Sequence, residues 1–209
     1  WLKFFLASAS RRHQPHQSAM HRFTGRGLAF AGRLVGRDRS FSGGPSAEAI
    51  AAIQANFKQN PAQAQASFES SSELIKGLVS NGQLRHFPIT ADEPASFGGE
   101  DSAPNPVEIL LFSLGACQEI TTKAFANAMG VPLTRVSVQL KGHIDLRGFF
   151  AVDDSVRAGF NKIEGTFTVE SPADTGTIQQ LKAAVDAHCP VKDMLQAVPM
   201  EITLNHVQK

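Results

Sequence analysis

The sequence predicts an α+β domain with antiparallel sheets, preceded by an N-terminal extension. Short runs of alternating apolar and polar residues, typical of strands, follow one another at hairpin distances. Two longer segments, 107–129 and 173–188, have the length and composition of helices. The chain has 209 residues, 42% of them hydrophobic and 19% charged, which is typical of one soluble globular domain. Its longest apolar run, 109–114, is too short to cross a bilayer.

The first 42 residues differ from the rest in charge. They contain Lys3, seven arginines and one acid, Asp38, for a net charge of +7, whereas the remainder carries 12 basic and 18 acidic residues, net −6. A segment rich in Arg, Ser and Gly and nearly free of acids is typical of a mitochondrial presequence. The sequence from Met20 has the features of a complete presequence, and Arg39 precedes a matrix-protease-like site with the cut after Phe41. A basic tail without a targeting role is the alternative. The arginines are residues 11, 12, 22, 26, 33, 37 and 39.

The domain itself is predicted over 43–209, with an N-terminal helical segment, 43–64, before a core, 65–209. Ser46 is the expected N-cap of the first helix, and Pro61 follows its end. The domain boundary therefore falls where the basic extension ends.

Strands are expected directly after this helix. Two or three of them are predicted within 64–92, with a hairpin turn at Asn81-Gly82, because Asn-Gly favours the tight turns that join antiparallel strands. A loop rich in Gly and Pro, 93–106, follows.

The second half begins with the long helix, 107–129, which Gly130 is expected to end. Cys189-Pro190 is expected to open a short helical turn after the second long helix, because proline favours the first helical position. The alternating segments predicted as strands are 134–148, 162–171 and 200–206.

The chain has two cysteines, and each occupies a distinctive position. Cys117 lies in the middle of the long helix, where a free thiol is most often an inert part of the core. Cys189 is expected at a helix N-cap, where the helix dipole and free N–H groups lower a thiol pKa, unless it serves as a cap alone. The residues themselves leave open whether the two thiols meet. Residues sharing the helix face of Cys117 are Leu110, Ser113, Leu114, Ile120, Thr121, Ala124 and Ala128.

Three segments together resemble the OsmC/Ohr family, the osmotically inducible and organic-hydroperoxide-resistance proteins. They are 92–125, which contains "SLGACQEITTKAF", 136–160, which contains "DLRGFF", and 186–195, "DAHCPVKDML". The resemblance covers most of 65–204 and is strongest to an OsmC-like subgroup with "ACQE" and "DLRGF". It implies an intertwined homodimer in which antiparallel sheets wrap around long central helices, with two sites near the dimer interface.

The resemblance also implies a chemistry. Cys117 would be the peroxidatic cysteine that reduces an organic hydroperoxide and becomes a sulfenic acid, and Cys189 would resolve it to a disulfide. An external dithiol, such as a dihydrolipoyl protein, would then reduce that disulfide. No metal, flavin or other cofactor is required. The apolar helix face around Cys117 suits fatty or aromatic hydroperoxides.

The sequence departs from the Ohr branch at the groups that activate the thiolate. That branch has a glutamate ten residues before the cysteine, where this chain has Val107, followed by Glu108. Glu108 and Glu119 both lie about 180–200° around the helix from Cys117, so each would reach a thiol only across a dimer. Arg157 is the preferred activating cation, since it lies in a polar loop between strands. Arg85 and Arg147 are the other basic residues considered.

Two functions from different classes follow. The preferred prediction is a mitochondrial, homodimeric thiol peroxidase. The alternative is a non-catalytic subunit of the same fold, docked into a large mitochondrial assembly through its basic arm. No spacing of histidines and cysteines matches a recognised zinc-ligand pair, so no metal site is predicted.

Overall fold

Two three-stranded sheets and a long helix, α2, organise the part of the chain that the structure describes. This computed structural model describes residue 41 and residues 43–208, and the predictions made for the extension lie outside those residues. The helices are α1 (Ala47–Gln59), α2 (Pro106–Met129), α3 (Leu146–Phe149), α4 (Thr175–His188) and α5 (Pro190–Met194). The strands are β1 (Ser71–Lys76), β2 (Val79–Leu84), β3 (Phe87–Ala91), β4 (Arg135–Ile144), β5 (Phe160–Ser171) and β6 (Met200–Gln208). The α+β class predicted from the sequence is confirmed.

The ends of the helices follow the local chemistry of the chain. Ser46 caps α1 by accepting a hydrogen bond from the backbone N–H of Ala49 at 3.2 Å, as predicted. Helix α2 begins one residue earlier than predicted, at Pro106, behind the N-cap Asn105. It ends at Gly130, whose φ of 68° lies in the left-handed region that glycine adopts without strain. None of the helices in the described residues is long and apolar enough to cross a membrane.

The first sheet, β1-β2-β3, corrects the predicted hairpin turn. Asn81 and Gly82 lie in the middle of β2, and the turns fall instead at Gly77, with a φ of 54°, and at Arg85, with a φ of 60°. A side chain at position 82 would place its Cβ 2.8 Å from the backbone oxygen of Ser71 on the neighbouring strand. The glycine is therefore required by close strand packing rather than by a turn.

The second sheet, β4-β5-β6, combines both kinds of strand pairing. Strands β4 and β5 are antiparallel, in register from Arg135 opposite Glu170 to Gly142 opposite Ile163. Strand β6 pairs with β5 in parallel, because α4 and α5 form the crossover that returns the chain to the same end of the sheet. The sequence predicts antiparallel sheets only, so this parallel pair adds to the predicted fold.

The core consists of two apolar clusters placed along α2. One contains Ala126 of α2 packed with residues of β5 and α4, and the other contains Leu114 of α2 with residues around the start of β5. Gln118 and Thr122 of α2, both fully buried, lie between these two levels of the helix. The first cluster comprises Ala126, Val131, Phe167, Val169, Ile178, Leu181 and Val185; the second comprises Leu114, Phe160, Ile163 and Val198.

Two glycines of α2 should respond oppositely to alanine. Gly130→Ala forces a left-handed φ on a residue with a Cβ, so we expect it to lower the free energy of unfolding by about 1 kcal/mol. Gly115→Ala adds a Cβ at ordinary contact distance, 3.7 Å from Val138, inside a regular helix, so we expect it to raise that free energy by about 0.5 kcal/mol. Urea unfolding followed by circular dichroism measures both. Equal effects of the two substitutions would contradict the assigned helix end.

Candidate functional site

The fold brings the two cysteines together. Cys117 lies near the middle of α2 and is half-buried, whereas Cys189 lies at the junction of α4 and α5 and is 1% exposed. Both are free thiols, and they lie near enough for Cys117 to raise the pKa of the Cys189 thiol. The folded chain thus brings together two thiols whose meeting the residues alone left open.

The position of Cys189 follows from the break between two helices. Its own N–H donates to the carbonyl oxygen of Val185 at 2.9 Å, which closes α4. Pro190 then opens α5, with Cys189 in extended conformation as its N-cap. The backbone N–H groups of Lys192 and Val191 lie near enough to the Cys189 thiol to favour its thiolate form. The predicted N-cap position is confirmed.

The helix terminus lowers the pKa of Cys189, as predicted, but the net shift of that pKa is upward. Burial raises the pKa of the Cys189 thiol above its ordinary value, and the neighbouring Cys117 raises it further. The hydrogen bonds from the backbone N–H groups of Lys192 and Val191 act in the opposite direction but are outweighed. Desolvation of the thiolate therefore dominates over the helix terminus, and Cys189 rests as a neutral thiol.

The candidate activating groups have other partners in the chain. Glu108 forms a capping box with Asn105, accepting from its N–H at 2.9 Å, about 13 Å along the axis of α2 from Cys117. Arg157 donates to the backbone oxygen of Ala197 at 2.9 Å, in the segment between α5 and β6. Their assignment to the catalytic site stays a prediction.

The remaining charged candidates are also engaged. Glu119 accepts a hydrogen bond from the N–H of Val138 at 3.0 Å, which ties α2 to β4. The guanidinium of Arg147 lies 2.6 Å from Asp145, and that pairing lowers the pKa of the Asp145 carboxyl group. Arg85 lies over the ring of Phe87 in the first sheet. No group of three potential metal ligands occurs among the residues that the structure describes.

Asp186, Lys182 and Lys192 form a charged cluster near Cys189 that the sequence does not predict. The carboxylate of Asp186, on α4, accepts from Lys182 Nζ at 2.5 Å and from Lys192 Nζ at 2.6 Å. Burial opposes ionisation of Asp186, but the two lysines together hold the pKa of its carboxyl group below the ordinary value. Lys182 and Asp186 are four residues apart, the spacing of an ion pair on one helix. Lys192 lies beyond Pro190, so its pairing with Asp186 is visible only in the folded structure.

Gln118 was also missed, although it adjoins Cys117 in sequence. It is 0% exposed, and neither its amide nitrogen nor its amide oxygen has a hydrogen-bond partner among the described residues. An unsatisfied buried amide destabilises a fold by about 1–3 kcal/mol. The sequence signal for Gln118 was a polar residue on a largely apolar face of the predicted helix.

One thiol of the pair lies on the long helix α2, and the other lies at the bend between α4 and α5, within an α+β fold. The chain belongs to the OsmC family, since the family model described as OsmC-like protein matches residues 99–204. No curated protein sequence matches the chain significantly.

Solved structures show the same fold. An OsmC-like protein from Mycoplasma pneumoniae is 18% identical, with a TM-score of 0.61, over 68% of this chain and 99% of its own. An organic hydroperoxide resistance protein OsmC from Legionella pneumophila is 17% identical, with a TM-score of 0.52, over 67% and 97%. An organic hydroperoxide resistance protein from Elizabethkingia anophelis is 15% identical, with a TM-score of 0.51, over 69% and 98%. At these identities the likeness concerns the fold.

The raised pKa of Cys189 should be visible as a pH dependence of stability. Above the ordinary pKa of 9.0, Cys189 ionises in the unfolded chain before it does in the folded one, so ionisation favours unfolding. Under reducing conditions, the free energy of unfolding of the wild type minus that of Cys189→Ser should be constant below pH 8. It should then fall by up to about 1.4 kcal/mol per pH unit above 9. A difference that rises with pH would contradict the assigned direction.

Proposed function

We propose that the protein is a cysteine-based peroxidase that reduces organic hydroperoxides. The observation that carries the proposal is the proximity of Cys117 on α2 and Cys189 at the junction of α4 and α5, two free thiols from distant parts of the chain. Members of the same fold named for organic hydroperoxide resistance support the reaction class. The proposal agrees with the roles that the resemblance implied.

The first step belongs to Cys117, because it is the more accessible thiol. Its thiolate sulfur attacks the terminal oxygen of the hydroperoxide, an S–O bond forms and the O–O bond breaks. The alkoxide leaves and takes a proton to become the alcohol, so that Cys117 is oxidised to the sulfenic acid and the peroxide is reduced.

The second step belongs to Cys189, which is buried against Cys117. Its sulfur attacks the Cys117 sulfenyl sulfur, the S–S bond forms and the S–O bond breaks. The hydroxide takes the proton of the Cys189 thiol and leaves as water. The N–H groups of Val191 and Lys192 stabilise the negative charge that develops on the Cys189 sulfur as that proton is lost. A dithiol, preferably a dihydrolipoyl group, then reduces the disulfide and is itself oxidised.

The surroundings of Cys117 favour an apolar substrate. Leu110, which is partly buried, precedes it on the same side of α2, and Ile120, which is exposed, follows it. Transfer of an alkyl or aryl group to such a surface is favoured by about 25 cal/mol per Å² of apolar area removed from water. Hydrogen peroxide offers no such area, so we place organic hydroperoxides ahead of it.

The protein also presents apolar surface suited to a second copy of itself. Phe112 and Ile120 on α2 are 74% and 71% exposed, and β1 of the first sheet is exposed along its whole length. Exposed apolar side chains that adjoin one another are typical of association surfaces. We propose a homodimer in which these faces are covered, in keeping with the usual state of the family.

The cellular location rests on the N-terminal extension alone. Its composition supports import into the mitochondrial matrix, where disulfides formed during turnover are reduced again. The same extension motivates the alternative function, a non-catalytic subunit held in a large mitochondrial assembly.

Two cysteine variants test the peroxidase. Cys117→Ser should lower turnover of cumene hydroperoxide with dihydrolipoamide to the uncatalysed background, because the attacking sulfur is lost. Cys189→Ser should consume one equivalent of peroxide and stop, leaving a sulfenic acid on Cys117 that dimedone traps. Mass spectrometry and a coupled reductase assay measure both outcomes.

The two substitutions control for each other, since both replace a thiol by a hydroxyl of similar size. Circular dichroism should show an unchanged fold in each. If the wild type forms neither a disulfide nor a sulfenic acid with an organic hydroperoxide, the peroxidase is ruled out and the accessory-subunit function is favoured.

A charge on the exposed face of α2 should separate the dimer. Phe112→Asp would bury a carboxylate against the partner, so we expect the dissociation constant to rise roughly a hundredfold. Val152→Asp is the matched control, because Val152 is 71% exposed but lies in a loop outside α2. Sedimentation velocity over a dilution series measures the change. An unaltered dissociation constant for Phe112→Asp would show that this face is not the interface.

A further inference from the structure

We infer that Asp186 is a positioning residue for the resolving cysteine, acting through its bridge to Lys192. This inference rests on the proposed function, since it concerns the second step of that reaction. The first step, oxidation of Cys117, is independent of it. The experiment below therefore separates the two steps.

The geometry of the bridge carries the inference. Asp186 lies on the last turn of α4, Lys192 on the first turn of α5, and Cys189 is the residue at which the two helices meet. The carboxylate of Asp186 accepts from Lys192 Nζ at 2.6 Å, so a charge-assisted hydrogen bond spans the bend on which Cys189 sits. The angle between the two helices determines where the Cys189 sulfur lies relative to Cys117.

The surroundings make this bridge stronger than an ordinary surface ion pair. The side chains of Asp186 and Lys192 are 32% and 28% exposed, so both are partly shielded from water. Lys182, 11% exposed, binds the other carboxylate oxygen of Asp186. A carboxylate held from two sides loses little conformational freedom when it binds its bridging partner.

The bridge also holds a backbone group that acts on the Cys189 thiol. The N–H of Lys192, the residue whose side chain Asp186 holds, favours the thiolate form of Cys189. When the side chain is released, α4 and α5 stay joined at Cys189, whose backbone oxygen accepts from the Asp193 N–H at 3.0 Å, but they lose the charged bridge across the bend. Small displacements of a reacting atom slow a reaction sharply, because attack requires close and aligned approach.

Lys192→Met and Lys182→Met form the test and its matched control. Each removes one positive charge from Asp186 and keeps the aliphatic length of the side chain, but only Lys192 spans the bend. After one equivalent of cumene hydroperoxide, dimedone trapping and mass spectrometry follow the Cys117 sulfenic acid with time. We expect Lys192→Met to form the sulfenic acid at the wild-type rate and to convert it to the disulfide about tenfold more slowly. With excess peroxide it should accumulate more sulfinic acid on Cys117.

Lys182→Met should resolve within about twofold of the wild type, because it leaves the bridge in place. Asp186→Asn should reproduce the slow resolution of Lys192→Met, and Asp186→Glu should restore part of the rate. Disulfide formation at the wild-type rate in Lys192→Met, or equal slowing in both lysine variants, would overturn the inference while leaving the peroxidase intact. A wild-type protein that forms no sulfenic acid would instead remove the proposed function, and the inference with it.

Discussion

The packing of α2 against strand β4 sets the position of every other group in the site. Gly115 faces Val138 across this interface, and Glu119 ties the helix to the strand by accepting from the Val138 N–H at 3.0 Å. Cys117, two residues beyond Gly115 on the same helix, is half-buried. Helices α4 and α5 also pack against α2, which brings Cys189 near Cys117.

The site lies where the interior changes from apolar to polar. Along α2, Leu114 belongs to one apolar cluster and Ala126 to the other, and the fully buried residues between them include Gln118 and Thr122. The apolar clusters before and after this segment of α2 make its backbone rigid. Between them, near Cys117, the side chains of Gln118 and Thr122 are able to form hydrogen bonds. A thiol pair held in this way has fixed neighbours but retains polar surroundings for its reaction.

Local chemistry was sufficient to predict part of the structure. Ser46, Gly130 and the Cys189-Pro190 step each act within one helical turn, and their roles as helix ends are confirmed. Predictions that depended on distant parts of the chain were wrong or incomplete. Asn81-Gly82 favours a turn locally, but both residues lie within β2. Gly82 is there because the backbone oxygen of Ser71, on the neighbouring strand, leaves no room for a Cβ.

The chemistry of the site shows the same division. The N-cap position of Cys189 was predictable, but the pKa of its thiol depends on burial that only tertiary packing produces. Pro190 lies between Asp186 and Lys192 in the sequence, so the spacing rule for one continuous helix does not predict that they pair. The bend between α4 and α5 brings the two side chains together. The proximity of Cys117 and Cys189 depends on how α4 and α5 pack against α2, which local sequence patterns do not specify.

The parallel pairing of β5 with β6 has a consequence for how the chain folds. The second sheet is complete only when β6 reaches β5, and this requires α4, α5 and their connections to fold back first. Pairings between residues so far apart along the chain close late, since the entropy of the intervening loop opposes them. Until that moment the edge of β5, with Ile163 and Phe167, is open to other chains. We therefore expect the order of folding, rather than the native fold, to set the tendency of newly made chains to aggregate.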